Sequence, residues 1–144
     1  MPTDVTANLI LCETLVWERG NELPTAVRIL NSIQLTPLST GVHFFSLVGV
    51  YKASYDFNPH TLQVVMLAPP DYKVIIAAGP PQRFVYGYRL TQAAPGGFLL
   101  GTEFNVVIAT LGVYWIQALL DNELVSQVPL LLSKPGQWPN SAQR

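Results

Sequence analysis

The sequence predicts an all-β protein, an immunoglobulin-like antiparallel β-sandwich of about eight or nine strands. Short stretches rich in β-branched and aromatic residues alternate with breaks, and most of the 12 prolines fall at the breaks. In several stretches, apolar and polar residues alternate with a period of two, as they do in strands. No ten-residue stretch shows a convincing helical period of apolar residues. Regular spacing of short strands and turns is typical of sandwiches and barrels.

The predicted strands share this alternation and are separated by single turns or loops. They are residues 4–18, 24–36, 42–55, 61–67, 72–78, 83–90, 98–110, 112–120 and 123–132. In the second of them, Val27, Ile29, Asn31 and Ile33 share the more apolar face, which we expect to point inward. Residues 1–134 are therefore predicted to form one domain. Residues 135–144 lose the alternation and are predicted to be a C-terminal extension.

The apolar segment 104–120 raises three alternatives: a membrane helix, a buried helix and a strand. It is only seventeen residues long and contains Asn105 and Gln117, and no Lys or Arg flanks it, which argues against a membrane helix. Its β-branched and aromatic residues argue against a buried helix. We therefore expect two strands, joined at Asp121-Asn122, a pair whose side chains tolerate positive φ.

The first strand of this hairpin is apolar on both faces. Tyr114, Ile116, Ala118 and Leu120 share one face, which we expect to pack on the core. Trp115 and Leu119 lie on the other face, which must also be covered. A second copy or another protein would cover it. The alternative is cover within the chain, from the N-terminal strand or from the tail with Trp138.

Composition excludes several classes of partner. Apolar residues make up 49% of the chain, charged residues make up 12%, and the net charge is −1. This balance gives no field to attract nucleic acid or an anionic membrane, so we expect neither as a partner. The N-terminus carries Asp4 and only a four-residue apolar run, which does not fit a secretory signal. With Cys12 as the one cysteine, a reducing, cytoplasmic location is expected.

The triplet Leu11-Cys12-Glu13, the segment 22–36 and the closing pattern of Gly112, Tyr114 and residues 120–132 together suggest a family. They resemble an uncharacterised bacterial family of small cytoplasmic β-sandwich proteins, a domain of unknown function. The resemblance covers most of the chain and rests on strand patterning. It implies a sandwich, and it implies no activity because the family has no catalytic motif to carry over.

Residues that could act in catalysis or bind a metal are few and scattered. Cys12 lies within a strand, and a catalytic thiol would need a base beside it. His43 and His60 have no third metal ligand at a recognisable spacing. Most carboxylates fall in or near turns, where they are solvated or act as caps. We therefore predict no catalytic residue, no metal site and no cofactor.

The stretch 83–90 is the most distinctive cluster in the chain. It pairs the planar cations of Arg83 and Arg89 with the rings of Tyr86 and Tyr88. Such residues are enriched at interface hot spots, although an ordinary strand with a tyrosine face is the simpler interpretation. These four residues, with Trp115 and Leu119, are the predicted interface candidates.

The predicted function is non-enzymatic. We expect a binding, scaffold or assembly module that acts through protein–protein contacts, either as a homo-oligomer or with a protein partner. The alternative is a β-barrel that binds a small ligand in an aromatic-lined pocket. A barrel would enclose a cavity, whereas a sandwich has a filled core, so the architecture separates the two.

Overall fold

The computed structural model describes residues 4–17, 23–36, 40–86 and 96–135. Within these ranges the chain forms ten strands, and no helix there is long and apolar enough to cross a membrane. The strands are β1 (Val5–Trp17), β2 (Pro24–Ile29), β3 (Ser32–Gln34), β4 (Gly41–Lys52), β5 (His60–Leu67), β6 (Ile75–Ala78), β7 (Gln82–Phe84), β8 (Gly96–Val107), β9 (Gly112–Leu120) and β10 (Glu123–Ser133).

The described strands form two sheets rather than one closed sheet. The first sheet has the order β2-β1-β4-β8, and the second has the order β3-β10-β9-β5-β6, with β7 also paired to β5. All pairs are antiparallel except β3 with β10. The chain crosses between the sheets five times, after β2, β3, β4, β7 and β8. The predicted sandwich is confirmed, and the barrel alternative is not the fold observed.

The core lies between the two sheets and is made of alternate side chains from each. The rings of Phe44 and Phe104 stack with centroids 5.0 Å apart on the inner side of the first sheet. From β9, the inward side chains are those predicted: Tyr114, Ile116, Ala118 and Leu120 are all buried. Burial of such side chains is the main stabilising contribution to a domain of this kind.

Two features make the sandwich immunoglobulin-like. The short strand β3, near the start of the chain, pairs in parallel with the last strand, β10. The Tyr114 hydroxyl, near the start of β9, donates a hydrogen bond to the Thr110 carbonyl four residues upstream. A tyrosine bonded in this way, at the corner where the chain changes sheet, is a hallmark of immunoglobulin-like domains. The predicted fold class is therefore correct.

The predicted strand 24–36 is wrong as a single element. The chain forms β2 in the first sheet and β3 in the second, and Arg28 near the break has a φ of 55°. The expected inward face fails as a consequence: Val27 is 43% exposed and Ile29 is 70% exposed. Both belong to β2, which lies at the edge of its sheet. The split also explains why ten strands are seen where nine were predicted.

The outer face of the first sheet is covered in part by the β1–β2 hairpin. Leu15 and Trp17 lie over Gly101 of β8, whose missing side chain leaves room for them. A Cβ atom at Gly101 would lie 2.9 Å from the Leu15 side chain and 3.0 Å from the Trp17 ring. The N-terminal strand therefore lies on the first sheet and does not cover the face that carries Trp115.

Candidate functional site

The β9–β10 hairpin presents the predicted interface residues Trp115 and Leu119. Its turn is Asp121-Asn122, with φ values of 49° and 66°, as expected for a two-residue hairpin whose central residues are both left-handed. This turn sets Leu120 opposite Glu123, and the strand alternation then places Trp115 and Leu119 away from the core. Both side chains are partly buried.

Trp115 and Leu119 lie in a continuous outer surface of the second sheet. Trp115 is flanked by Leu67 on β5 and Pro129 on β10. Leu119 is flanked by Gln63 and Leu124 in the same way. We name this surface the Trp115 face and define it by nine residues: Gln63, Val65, Leu67, Trp115, Gln117, Leu119, Leu124, Gln127 and Pro129.

The Trp115 face carries no charged side chain, and its polar groups bond within the protein. The Gln117 amide nitrogen donates to the Gln127 side chain at 3.0 Å, and the Gln63 amide nitrogen donates to the Gly79 carbonyl at 2.9 Å. Val65 is only 2% exposed although it points away from the core. Val65 and Leu67 are therefore covered within the chain, and the most exposed part of the face lies on β10, at Leu124, Gln127 and Pro129.

The structure separates the residues of the predicted 83–90 cluster. Arg83 on β7 is exposed and pairs with Thr61, so that it lies at the border of the Trp115 face. Tyr86 is 5% exposed, so its expected place at a surface contact is wrong. The strand ends at Phe84 rather than continuing through Tyr86. Tyr88 and Arg89 lie outside the described residues.

Tyr86 packs instead among aromatic rings at one end of the sandwich. Its ring centroid lies 5.1 Å from that of Phe84 and 5.2 Å from that of His60. Burial, together with the nearby charges of Asp56 and Asp121, raises the pKa of its hydroxyl to about 12. Tyr86 is therefore a neutral core residue. The sequence alone does not distinguish a buried tyrosine at this position from one at a surface contact.

A cluster of charged groups beside Tyr86 was not predicted. Lys52 Nζ lies 2.5 Å from Asp56 Oδ2, and His60 Nε2 lies 2.9 Å from the same oxygen. The other ring nitrogen of His60, Nδ1, lies 2.6 Å from Asp121 Oδ2. A histidine with a carboxylate at each ring nitrogen donates from both and is favoured as the imidazolium. The cluster joins the β4–β5 loop to the β9–β10 turn.

The pKa values in this cluster shift as mutual pairing requires. Burial lowers the pKa of His60, but its bonds to Asp121 and Asp56 outweigh burial and raise it above its ordinary value. The bond from Lys52 holds the pKa of Asp56 well below its usual range. Burial raises the pKa of Asp121, but the hydrogen bonds from His60 and the Thr61 N–H outweigh burial, and the net pKa is lowered. The charges therefore stabilise one another.

Two other described residues have chemically reactive groups, Cys12 and His43. Cys12 is fully buried, and burial raises the pKa of its thiol, which keeps it protonated and unreactive. Among the residues that the structure describes, no group of three His, Cys, Asp or Glu side chains is placed to hold a metal ion. His43 pairs with Glu103 at 2.6 Å on the exposed face of the first sheet.

Comparison with known proteins supports the fold. The Pseudomonas fluorescens alkylpurine DNA glycosylase AlkC, bound to DNA with an abasic-site analog, aligns with a TM-score of 0.51 and 11% identity. The alignment covers 92% of this chain and 31% of that one. A β-glucosidase from Listeria innocua in complex with glucose aligns with a TM-score of 0.50 and 10% identity, over 90% of this chain and 16% of that one.

This chain thus spans less than a third of either solved protein, and the likeness shows a shared β-sandwich fold. No family model and no curated protein matches the sequence. The resemblance to the bacterial family of unknown function therefore stays a prediction.

Proposed function

We propose that this domain is a non-enzymatic interaction module that binds a protein surface, that of a second copy or of a different protein, through the Trp115 face. The observation that carries the proposal is Trp115 itself, partly exposed between Leu67 and Pro129 on a sheet face without a charged side chain. The immunoglobulin-like sandwich supplies a rigid scaffold for such a face.

Three physical arguments support this function. Interface centres are depleted in charged residues and enriched in tryptophan and other large side chains, and Trp115 is the largest side chain on the face. The amides of Gln117 and Gln127 already bond to each other, so covering them would leave few unpaired polar groups. Arg83 at the border provides the polar rim that such contacts have.

The same features support a role without catalysis. The charged groups of Lys52, Asp56, His60 and Asp121 pair with one another, and Cys12 is buried. We propose that the cluster stabilises the fold and performs no reaction. A single, buried cysteine also fits a reducing, cytoplasmic location.

Light scattering over a range of micromolar concentrations tests the proposal. We expect the wild-type mass to exceed that of one chain and to rise with concentration, and we expect Trp115→Ser to lower it. Ile29→Ser is the matched control, because Ile29 is an exposed apolar residue on the first sheet. It should leave the mass unchanged.

An unchanged mass and unchanged solubility in Trp115→Ser would contradict the proposal, whatever the wild-type mass. That result would mean that the Trp115 face is covered within the chain. The tail around Trp138, which lies outside the described residues, would then be the segment to examine.

A further inference from the structure

Strand β8 lies at the edge of the first sheet, and one of its sides has no strand paired to it within the described residues. It is the last strand of the first sheet and pairs with β4 along its whole length, from Gly96 opposite Lys52 to Val107 opposite Gly41. On its other side, no strand of the described chain pairs with it. Near the end of β8, the side chains of Glu103, Asn105 and Val107 are exposed, and Val107 is 79% exposed.

The direction of the backbone groups follows from one hydrogen bond. The Ile108 N–H donates to the Thr40 carbonyl, one step beyond the paired strands. Backbone groups in an antiparallel ladder point to alternate sides, and the β4–β8 ladder has no register shift. The even-numbered residues of β8 therefore bond to β4. The N–H and C=O groups of the odd-numbered residues point to the open edge: Gly97, Leu99, Gly101, Glu103, Asn105 and Val107.

Within the described residues, the edge of β8 has few of the features that protect edge strands from pairing, and its one charged side chain is Glu103. Proteins protect such edges with proline, lysine, bulges or very short strands. The other described edges have them: β2 begins at Pro24, β3 is three residues long, and β6 has four residues with a register shift against β5. In contrast, β8 has twelve residues, an unbroken register and no proline or lysine.

We propose that β8 pairs with β8 of a second copy, antiparallel about a two-fold axis at Thr102. This register sets Gly97 opposite Val107, Leu99 opposite Asn105 and Gly101 opposite Glu103, in both directions. All six outward-pointing residues are then used, and the two first sheets become one continuous sheet. On the inner side, Thr102 meets Thr102 of the other copy at the axis, and Leu100 lies beside Phe104 of the other copy.

Neighbouring registers are less complete. An axis at Gly101 leaves Val107 without a partner. An axis at Glu103 sets two carboxylates directly opposite each other, which is unfavourable. The two-fold register pairs all six outward-pointing residues of β8 with the same residues of an identical strand. This self-complementary pattern favours a second copy over a different protein.

The pairing does not depend on the Trp115 face, which belongs to the other sheet. Residues opposite each other in an antiparallel pair share a face, so both second sheets lie on the same side of the joined sheet. The dimer would then present two Trp115 faces together and could bind a partner bivalently. This consequence, unlike the pairing, rests on the proposed function.

Amide hydrogen exchange on the wild-type chain tests the pairing directly. In the dimer, both odd and even residues of β8 should exchange slowly. On dilution to the monomer, the odd-numbered amides at 99, 101, 103 and 105 should become fast while the even-numbered amides stay slow. Odd-numbered amides that exchange fast in a sample shown to be dimeric, or a chain that stays monomeric at all concentrations, would overturn the proposal.

A pair of variants gives a second test, made in the Trp115→Ser chain so that the other face does not contribute. Asn105→Pro removes an N–H that points to the open edge and leaves the β4 ladder intact. It should halve the mass, from two chains to one, whereas Asn105→Ala keeps the N–H and should stay dimeric. A folded Asn105→Pro chain that remains dimeric would overturn the β8 pairing and leave the Trp115 face untouched. If Asn105→Pro does not melt cooperatively, the exchange measurement decides.

Discussion

His60 Nδ1 lies 2.6 Å from Asp121 Oδ2 and ties the start of β5 to the β9–β10 turn. The Asp121 N–H in turn donates to the Thr61 carbonyl at 2.8 Å, and the Thr61 N–H donates to Asp121 Oδ1. These bonds fix the hairpin that carries Trp115 onto the neighbouring strand. A charged side-chain pair thus helps to hold the candidate interface in place.

The His60–Asp121 pair makes stability depend on pH. The pKa of His60 is raised on folding, so its contribution is complete below about pH 6.5 and is lost as the pH rises through the folded value. The pKa of Asp121 is lowered, so its contribution is present above about pH 4 and is lost in acid. We expect the melting temperature of the wild type to fall more between pH 6 and pH 9 than that of His60→Gln.

Asp121→Asn removes the same pair from the other side and should reduce the same pH dependence. The reduction should be smaller than in His60→Gln, because His60 still pairs with Asp56 when Asp121 is changed. The double variant should show no reduction beyond that of His60→Gln. If the melting temperatures of wild type and His60→Gln fall by the same amount between pH 6 and pH 9, the stabilising role of the His60–Asp121 pair is contradicted.

Ile116→Asp tests the face assignment of β9. Ile116 is fully buried, so the substitution places an unpaired carboxylate in the core and costs several kcal/mol. We expect loss of soluble, cooperatively folded protein in circular dichroism and thermal melting. Gln117→Asp, one residue further on the outer face, should remain folded. A cooperatively melting Ile116→Asp chain would show the assignment to be wrong.

Tyr114→Phe tests the corner hydrogen bond to Thr110. The ring stays buried and only the hydroxyl is lost, so we expect the free energy of unfolding in urea to fall by about 1 kcal/mol. Tyr72→Phe is the control: its hydroxyl also bonds a backbone carbonyl, that of Val113 at 3.0 Å, but Tyr72 is less buried and should lose less. If the two variants lose the same free energy of unfolding, the Tyr114–Thr110 hydrogen bond contributes no more to stability than an ordinary surface hydrogen bond.

Asn122→Val tests the turn chemistry. Asn122 has a φ of 66°, which a β-branched side chain tolerates poorly, so we expect a loss of about 1–2 kcal/mol in the free energy of unfolding. Asn122→Gly should stay within about 0.5 kcal/mol of the wild type, because glycine adopts this conformation freely. A valine variant as stable as the glycine variant would contradict the turn geometry.

Local features of the sequence were enough to predict much of the fold. The hairpin, its turn at Asp121-Asn122 and the two faces of β9 follow from alternation and turn preferences, which act between neighbours. The break between β2 and β3 falls at Leu30-Asn31. Asn31 favours turns, but it was assigned to a strand face because it fits the alternation, and Arg28, with its positive φ, is not a residue that marks turns.

The charged cluster could not be predicted for a different reason. Asp121 is 61 residues from His60, and only the sandwich topology brings them together. Tyr86 was misplaced because an aromatic residue near arginine has the same sequence signature in a core as at an interface. Trp115 and Leu119 were placed correctly on the outer face because a strand that is apolar on both sides cannot bury both against one core.

The most direct test of the Trp115 face is the indole N–H resonance of Trp115 in ¹H–¹⁵N NMR spectra, assigned with Trp115→Phe. The measurement uses the Asn105→Pro chain, so that β8 pairing does not move Trp17, which lies over Gly101 of β8. We expect the Trp115 signal to shift or broaden as this chain is concentrated, while the Trp17 signal stays fixed. A Trp115 signal that does not change over a range in which the measured mass does change would contradict the account.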